Sequence, residues 1–262
     1  MPKQSKILLY LTAFAVLVSS GCGKKSEEPV PAADVSSPAP AAARTVDAAS
    51  AGTVKGRVLF SGEAPERGMT SVQGNPECAA FHKDGVPSED LIVNSGGLQN
   101  VFVYVKEGLE GYRFETPVQP ALMSNRGCVY VPHVLGVQVD QPVTLVNEDP
   151  TLHNIHSYAK NSKGFNLGLP IQGMKQVRKF TAPEVMVQMK CDVHPWMTGW
   201  IGVLPHPCFG VSGADGSFEI AGLPPGTYVL EAWHEKLGTR SQTIEIGPRE
   251  TKQADFTFGP QP

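Results

Sequence analysis

VMVQMKCDVHPWMTGWIGVL, residues 185–204, sets two apolar runs, VMVQM (185–189) and GWIGVL (199–204), on either side of a short loop that carries Cys191, His194 and Met197. Short runs rich in Val, Ile and aromatic residues read as strands. A loop held at both ends by strands can turn a thiolate, an imidazole and a thioether toward one point.

Working outward, the same rhythm recurs. VFVYV (101–105) is a continuous β-branched and aromatic run, as expected of a strand buried on both faces. CVYV (128–131), residues 137–139 and VTLVN (143–147) follow, separated by Pro, Gly and Asp turn signals. VKGRVLF (54–60) alternates, with Val54, Val58 and Phe60 on one face. Residues 61–97 are rich in Gly, Pro, Glu, Asp and Ser and read as a long excursion rather than part of a core. A short turn near residues 76–82 is the one helical signal. The expectation is an all-β protein of sandwich type.

Composition agrees. The 262 residues include 27 Gly and 23 Pro, as short strands joined by many turns require. Lys plus Arg is 22 against 25 Asp plus Glu, so there is no basic excess to neutralise phosphates, and nucleic acid is excluded as a partner on charge.

The fourth ligand of the loop's constellation has to come from elsewhere. His153 follows a strand (VTLVN) and a turn (EDPTL), which puts it at the same end of a sandwich as the loop. Two imidazoles, one thiolate and a weak axial thioether are the donor set of a type 1 copper site. The thiolate stabilises Cu(I) and bonds covalently to Cu(II), the imidazoles suit both states, and the thioether does not impose the square-planar geometry that would trap Cu(II). Zinc fits less well, since methionine is a poor zinc ligand. A dinuclear centre needs two cysteines in the loop, and only Cys191 is there. His133, His156 and His206 are read as structural or surface residues, with His156 on the same short strand as His153 but not a ligand.

With proline after the histidine and two residues between each pair of ligands, the loop resembles that of the amicyanin-like cupredoxins, and HNIH (153–156) is similar to the segment around their first copper histidine. The resemblance covers residues 121–204. It implies a Greek-key sandwich, one type 1 copper, His153, Cys191, His194 and Met197 as ligands, and Asn154 hydrogen-bonded across the two ligand-bearing loops, with Pro195 at its family position. For Trp196 two readings stand: packing under the loop, or an apolar rim with Pro195 and Trp200 or Met174, around an exposed histidine edge where a redox partner docks.

DGSFEIAGLPPGTYVLEAWHE (215–235) resembles the carboxypeptidase regulatory-like family, which implies a second, smaller transthyretin-like sandwich. The division expected is residues 53–206 and 207–262. The alternative is a split domain, in which strands 54–60 and 101–105 complete the C-terminal sandwich.

At the N-terminus, Lys3 and Lys6 precede an apolar run (7–18) of signal-peptide length, and SSGC (19–22) resembles a bacterial lipobox. It implies a signal peptide over 1–21, lipidation of Cys22, and an exported protein anchored to a membrane and facing the periplasm or cell exterior. Residues 22–52, poor in large apolar side chains, read as a disordered tether. With Cys22 lipidated and Cys191 on the metal, Cys78 and Cys128 are the favoured disulfide, which leaves Cys208 as a free buried thiol. The functional expectation is a monomeric electron carrier with a redox partner protein, not an enzyme. Alternatives are a copper storage or delivery lipoprotein, and an envelope binding module on a structural cupredoxin scaffold.

Overall fold

The computed structural model describes residues 43–260. The expected signal peptide, Cys22 and the expected tether as far as residue 42 lie outside the described residues. The all-β expectation holds: among the described residues four substantial sheets account for the architecture, and the one α-helix is Pro76–Phe81.

Two of these sheets enclose one core. Gly52–Phe60 pairs antiparallel with Ser217–Leu223 and parallel with Thr251–Gln253 and Phe256–Phe258. Facing it, Phe102–Glu107 lies between Phe209–Val211 and Gly226–His234, and Gly238–Ile246 closes the edge. Val54, Val58 and Phe60 supply one wall of that core; Val103, Val105, Leu230 and Ile244 belong to the other. Strands from both ends of the described chain thus share one sandwich. The other two sheets are Lys175–Arg178, Val143–Asn147, Ala121–Asn125 and Tyr130–Val131, and Asn166–Leu169, His153–Ser157, Glu184–Lys190, Thr198–Leu204 and Val134–Gln138. Met123, Val137, Leu145, Ile155, Val187 and Ile201 fill the space between them.

A third apolar layer joins the two sandwiches. Alternation along Phe102–Glu107 sends Val103 and Val105 into the first core, and Phe102 and Tyr104 the other way, onto Val134 and Leu204. The Phe102 ring needs a flat bed, and two glycines paired across parallel strands, Gly136 and Gly202, provide it. A Cβ at Gly202 would lie 2.5 Å from that ring.

Two expectations need correction. The tether expected over residues 22–52 has fixed contacts by residue 44: the Arg44 N–H donates to the Gly111 carbonyl at 2.7 Å, and its guanidinium lies 4.1 Å from the Tyr112 ring centroid. A backbone bridge and a cation–π contact hold a segment whose composition alone would not. The excursion 61–97 is also part of a core. Val72, Cys78 and Val86 are buried in the 121–204 sandwich, and Cys78 is bonded to Cys128 in a disulfide. The segment carries few apolar groups, and this covalent tie across 50 residues of sequence reduces the entropy that ordering it costs.

Candidate metal centre

The loop is the closed end of a hairpin. Lys190 and Thr198 are the last pair between Glu184–Lys190 and Thr198–Leu204. The Cys191 N–H then donates to the Met197 carbonyl at 3.2 Å, and the Met197 N–H to the His194 carbonyl at 2.9 Å. These bonds turn Cys191 and His194 back toward the neighbouring strand. That strand, His153–Ser157, pairs with the hairpin through His156–Lys190 and Ser157–Met189, and this register brings His153 beside the loop.

His153, Cys191 and His194 offer ligand atoms that all lie within 4.8 Å of one another, and all three residues are buried. Nδ1 of His153 faces Nδ1 of His194 at 2.9 Å, and Cys191 Sγ is 3.8 Å from His194 Nδ1. Burial opposes ionisation of Cys191, but His153, His194 and the Asn154 N–H outweigh it and bring the thiol down to about 6. Burial likewise works against the charged form of His153, and contacts with Asp149 and Cys191 overcome it, so its pKa is raised. Met197 is buried at the loop's inner end, in the same core.

The residues fit a soft cation. Two imidazole nitrogens that face each other at hydrogen-bond distance share one proton at most, and an anion-prone sulfur stands beside them; a bound ion would satisfy all three donors together. Cys128, Asp149 and His153 form a second close group, but the Cys128 sulfur is taken up in the disulfide.

Asn154 links strand to loop. Its Oδ1 accepts the N–H groups of Asp192 (2.6 Å) and Val193 (3.3 Å), and its backbone N–H points at Cys191 Sγ from 3.5 Å. Pro195 is exposed at the loop tip. His156 pairs with Asp192 at 3.2 Å and stacks on Tyr158, away from the ligand cluster.

The rim reading of Trp196 loses its exposed histidine. His194 has no open edge: it is 2% exposed, and its Nε2 lies 3.6 Å from Cys78 Sγ, so the disulfide covers it. Trp196 is half-buried, its ring 5.1 Å from that of His194, and its indole N–H donates to the Cys128 carbonyl at 3.0 Å. Trp200 faces the opposite side of its sheet, where it meets Trp233 and donates to Glu235.

Of the remaining histidines, His133 is buried between Glu235 and Glu89. Burial would lower its pKa, and the two carboxylates raise it to about 9. Burial alone takes His206 down to about 4 in the first sandwich, and it pushes the free thiol of Cys208 up to about 12.

Sequence reasoning missed Asp149. Its carboxylate accepts His153 Nε2 at 2.9 Å and the N–H groups of Gly127 and Cys128 at 2.7 and 2.8 Å. Within EDPTL it reads as an ordinary turn former; the available signal is an acid four residues before a candidate ligand histidine.

No protein-family model matches this chain, and no curated protein does. Solved structures similar to part of it include cupredoxins and a copper-containing reductase. A purple cupredoxin from Nitrosopumilus maritimus is 28% identical, with 32% of this chain and 98% of that chain covered and a TM-score of 0.28. A Cu(I) form of an amicyanin mutant is 24% identical over 34% of this chain and 86% of that chain, with a TM-score of 0.30. A Cu-containing nitrite reductase from Thermus scotoductus SA-01 is 26% identical over 32% of this chain, with a TM-score of 0.30; the match spans 22% of the reductase. The geometry of the site, and not these likenesses, carries the reading that follows.

Proposed function

We propose that the protein binds one copper ion in a type 1 site that His153, Cys191 and His194 would hold, with the Met197 thioether as a weak fourth donor, and that it carries single electrons between partner proteins. The observation that supports this is the convergence of three buried donor atoms within 4.8 Å, one of them a thiol already inclined to ionise. Copper held there supplies a one-electron couple. The chain's part is to keep the donors in one arrangement for both oxidation states: the hairpin holds Cys191 and His194, and Asn154 ties them to the strand of His153. Burial excludes water, which would otherwise add a ligand to the oxidised ion.

The route for an electron differs from a bare histidine edge. The half-exposed indole of Trp196, in contact with the His194 ring and hydrogen-bonded to Cys128, is the proposed point of partner approach. A small, quickly dissociating contact suits such an exchange. Exported, lipid-anchored placement through Cys22 and the regulatory-like nature of the sandwich that holds residues 215–235 belong to the same proposal and rest on the N-terminal sequence and on residues 215–235.

One observation favours the alternative of copper storage or delivery: the disulfide seals the His194 edge. The visible spectrum separates the readings. Copper-loaded protein of the carrier type shows an intense thiolate-to-copper band that bleaches reversibly on reduction. Cys191→Ser abolishes the band and leaves the fold intact. Colourless copper-loaded protein defeats the carrier reading.

A further inference from the structure

Each imidazole of the cluster has a second nitrogen, and the two are treated differently. Nε2 of His194 meets a disulfide sulfur, a weak acceptor; Nε2 of His153 meets a carboxylate. That carboxylate is 2% exposed and fully engaged. Asp149 Oδ1 accepts from Gly127, and Oδ2 from Cys128 and His153. Its own N–H donates to Asn147 Oδ1 at 2.9 Å, and the Asn147 amide donates to the carbonyls of Thr151 (2.7 Å) and Leu169 (2.8 Å). The turn is therefore fixed from both sides, and Asp149 cannot swing away from the ring.

Two consequences follow. A carboxylate can only accept, so the proton of neutral His153 resides on Nε2, and the lone pair is left on Nδ1, the nitrogen that faces His194 and Cys191. The second consequence is charge. With the Cys191 thiolate, Asp149 gives the buried surroundings of the ion two negative charges, which balance Cu(II) and leave Cu(I) with an excess of one. A neutral acceptor in the same place would reverse that preference. In a water-poor interior such a charge, one imidazole away from the ion, is weakly screened.

We propose that Asp149 is a positioning residue of this centre: through its hydrogen bond to His153 it fixes the ligating tautomer, and through its charge it favours the oxidised ion and lowers the reduction potential. The inference rests on the copper reading and goes beyond it by assigning the group that sets the potential.

The test is Asp149→Asn in the full chain, with three measurements: the reduction potential by redox titration, Cu(I) and Cu(II) affinities by chelator competition, and thermal unfolding of the metal-free protein. Asparagine loses the charge and keeps one oxygen, which can still accept from Cys128 and His153, while its NH2 then faces the Gly127 N–H; the thermal unfolding reads the cost of that mismatch. The expected result is Cu(II) binding weakened at least tenfold more than Cu(I) binding, which for a one-electron couple raises the potential by about 59 mV or more. A purely structural role would weaken both ions alike, lower the unfolding temperature and leave the potential where it was; that result overturns the proposal. Where the variant does not fold, nitrogen-resolved NMR of wild-type Cu(I) protein decides. A slowly exchanging His153 Nε2–H supports the assignment, and a ring protonated at Nδ1 or freely exchanging at Nε2 overturns it. Wild-type protein that takes up no copper defeats the metal reading itself, and this is seen before any variant is made.

Discussion

Replacing both disulfide partners, as Cys78→Ala with Cys128→Ala, probes the fold and the site together. The bond joins residues 50 apart, and both are fully buried. For a loop of that length the chain-entropy relation gives about 4 kcal/mol of stabilisation at 25 °C, through restriction of the unfolded chain. In a domain of this size that corresponds to a fall of about 8–16 °C in Tm. Urea unfolding of the oxidised wild type and the double variant measures it: the midpoint drops, and the slope rises somewhat because the unlinked chain unfolds to a more open ensemble. Without the tie, the segment around Pro76–Phe81 keeps only modest anchors, such as the 2.6 Å contact of His82 with the Gly127 carbonyl, and the Nε2 edge of His194 becomes reachable. Transfer of Cu(I) from loaded protein to an excess of chelator should then be faster by tenfold or more. A loss below about 1 kcal/mol would refute the claim that the disulfide holds this segment in the core. Unchanged transfer in a destabilised variant would refute the claim that it covers the metal.

Other perturbations test separate parts. His133, raised to about 9 by Glu235 and Glu89 against burial, contributes stability that is complete below about 6.5 and lost as pH rises through 9, on the order of 3 kcal/mol; urea midpoints should fall on that alkaline limb, and His133→Gln should flatten it. His206 and His234, held neutral mainly by burial and lowered to about 4, act in the opposite sense: their contribution is present above about 6.5 and lost as pH falls toward 4, which the same titration reads. Gly202→Ala, with its added Cβ 2.5 Å from the Phe102 ring, should cost about 1–3 kcal/mol in unfolding experiments, whereas Gly168→Ala, with nothing within 4 Å of the new atom, should cost well under that. Cys22→Ala should release the expressed protein from membranes; unchanged fractionation would defeat the lipid anchor.

What could be read from sequence follows the range of the interactions involved. Strands announced themselves through local composition, and the double burial of residues 101–105 was legible because it needs no partner to be identified: Val103 and Val105 face one core, Phe102 and Tyr104 another layer. Cys191 and His194 were equally accessible, since a tight hairpin of seven loop residues brings them together by itself. His153 required a long-range inference, which strand ends allow. The excursion 61–97 was misjudged because Val72, Cys78 and Val86 follow no period and are outnumbered by polar residues; their burial depends on a covalent bond to Cys128 and not on pattern. The covered edge of His194 was invisible for the same reason. Asp149 was hidden by ambiguity, since an acid before a proline serves a turn equally well.

Cys128 explains why these missed features belong together. Its N–H donates to Asp149, its carbonyl accepts the Trp196 indole, and its sulfur holds Cys78 against His194, so one residue, with φ +54° in a tight turn, braces three elements around the centre. Through Asp149 and Cys78, the rear nitrogen of both imidazoles of the cluster is therefore backed by the same turn. Such bracing opposes rotation of either ring when the charge at the centre changes, and little rotation is what a one-electron carrier requires. A delivery protein has the contrary need, since releasing its ion means moving at least one ligand. On the proposed reading, the architecture behind the rings thus favours electron transfer over hand-over of the metal, even though the same disulfide closes the edge by which an electron would most simply leave.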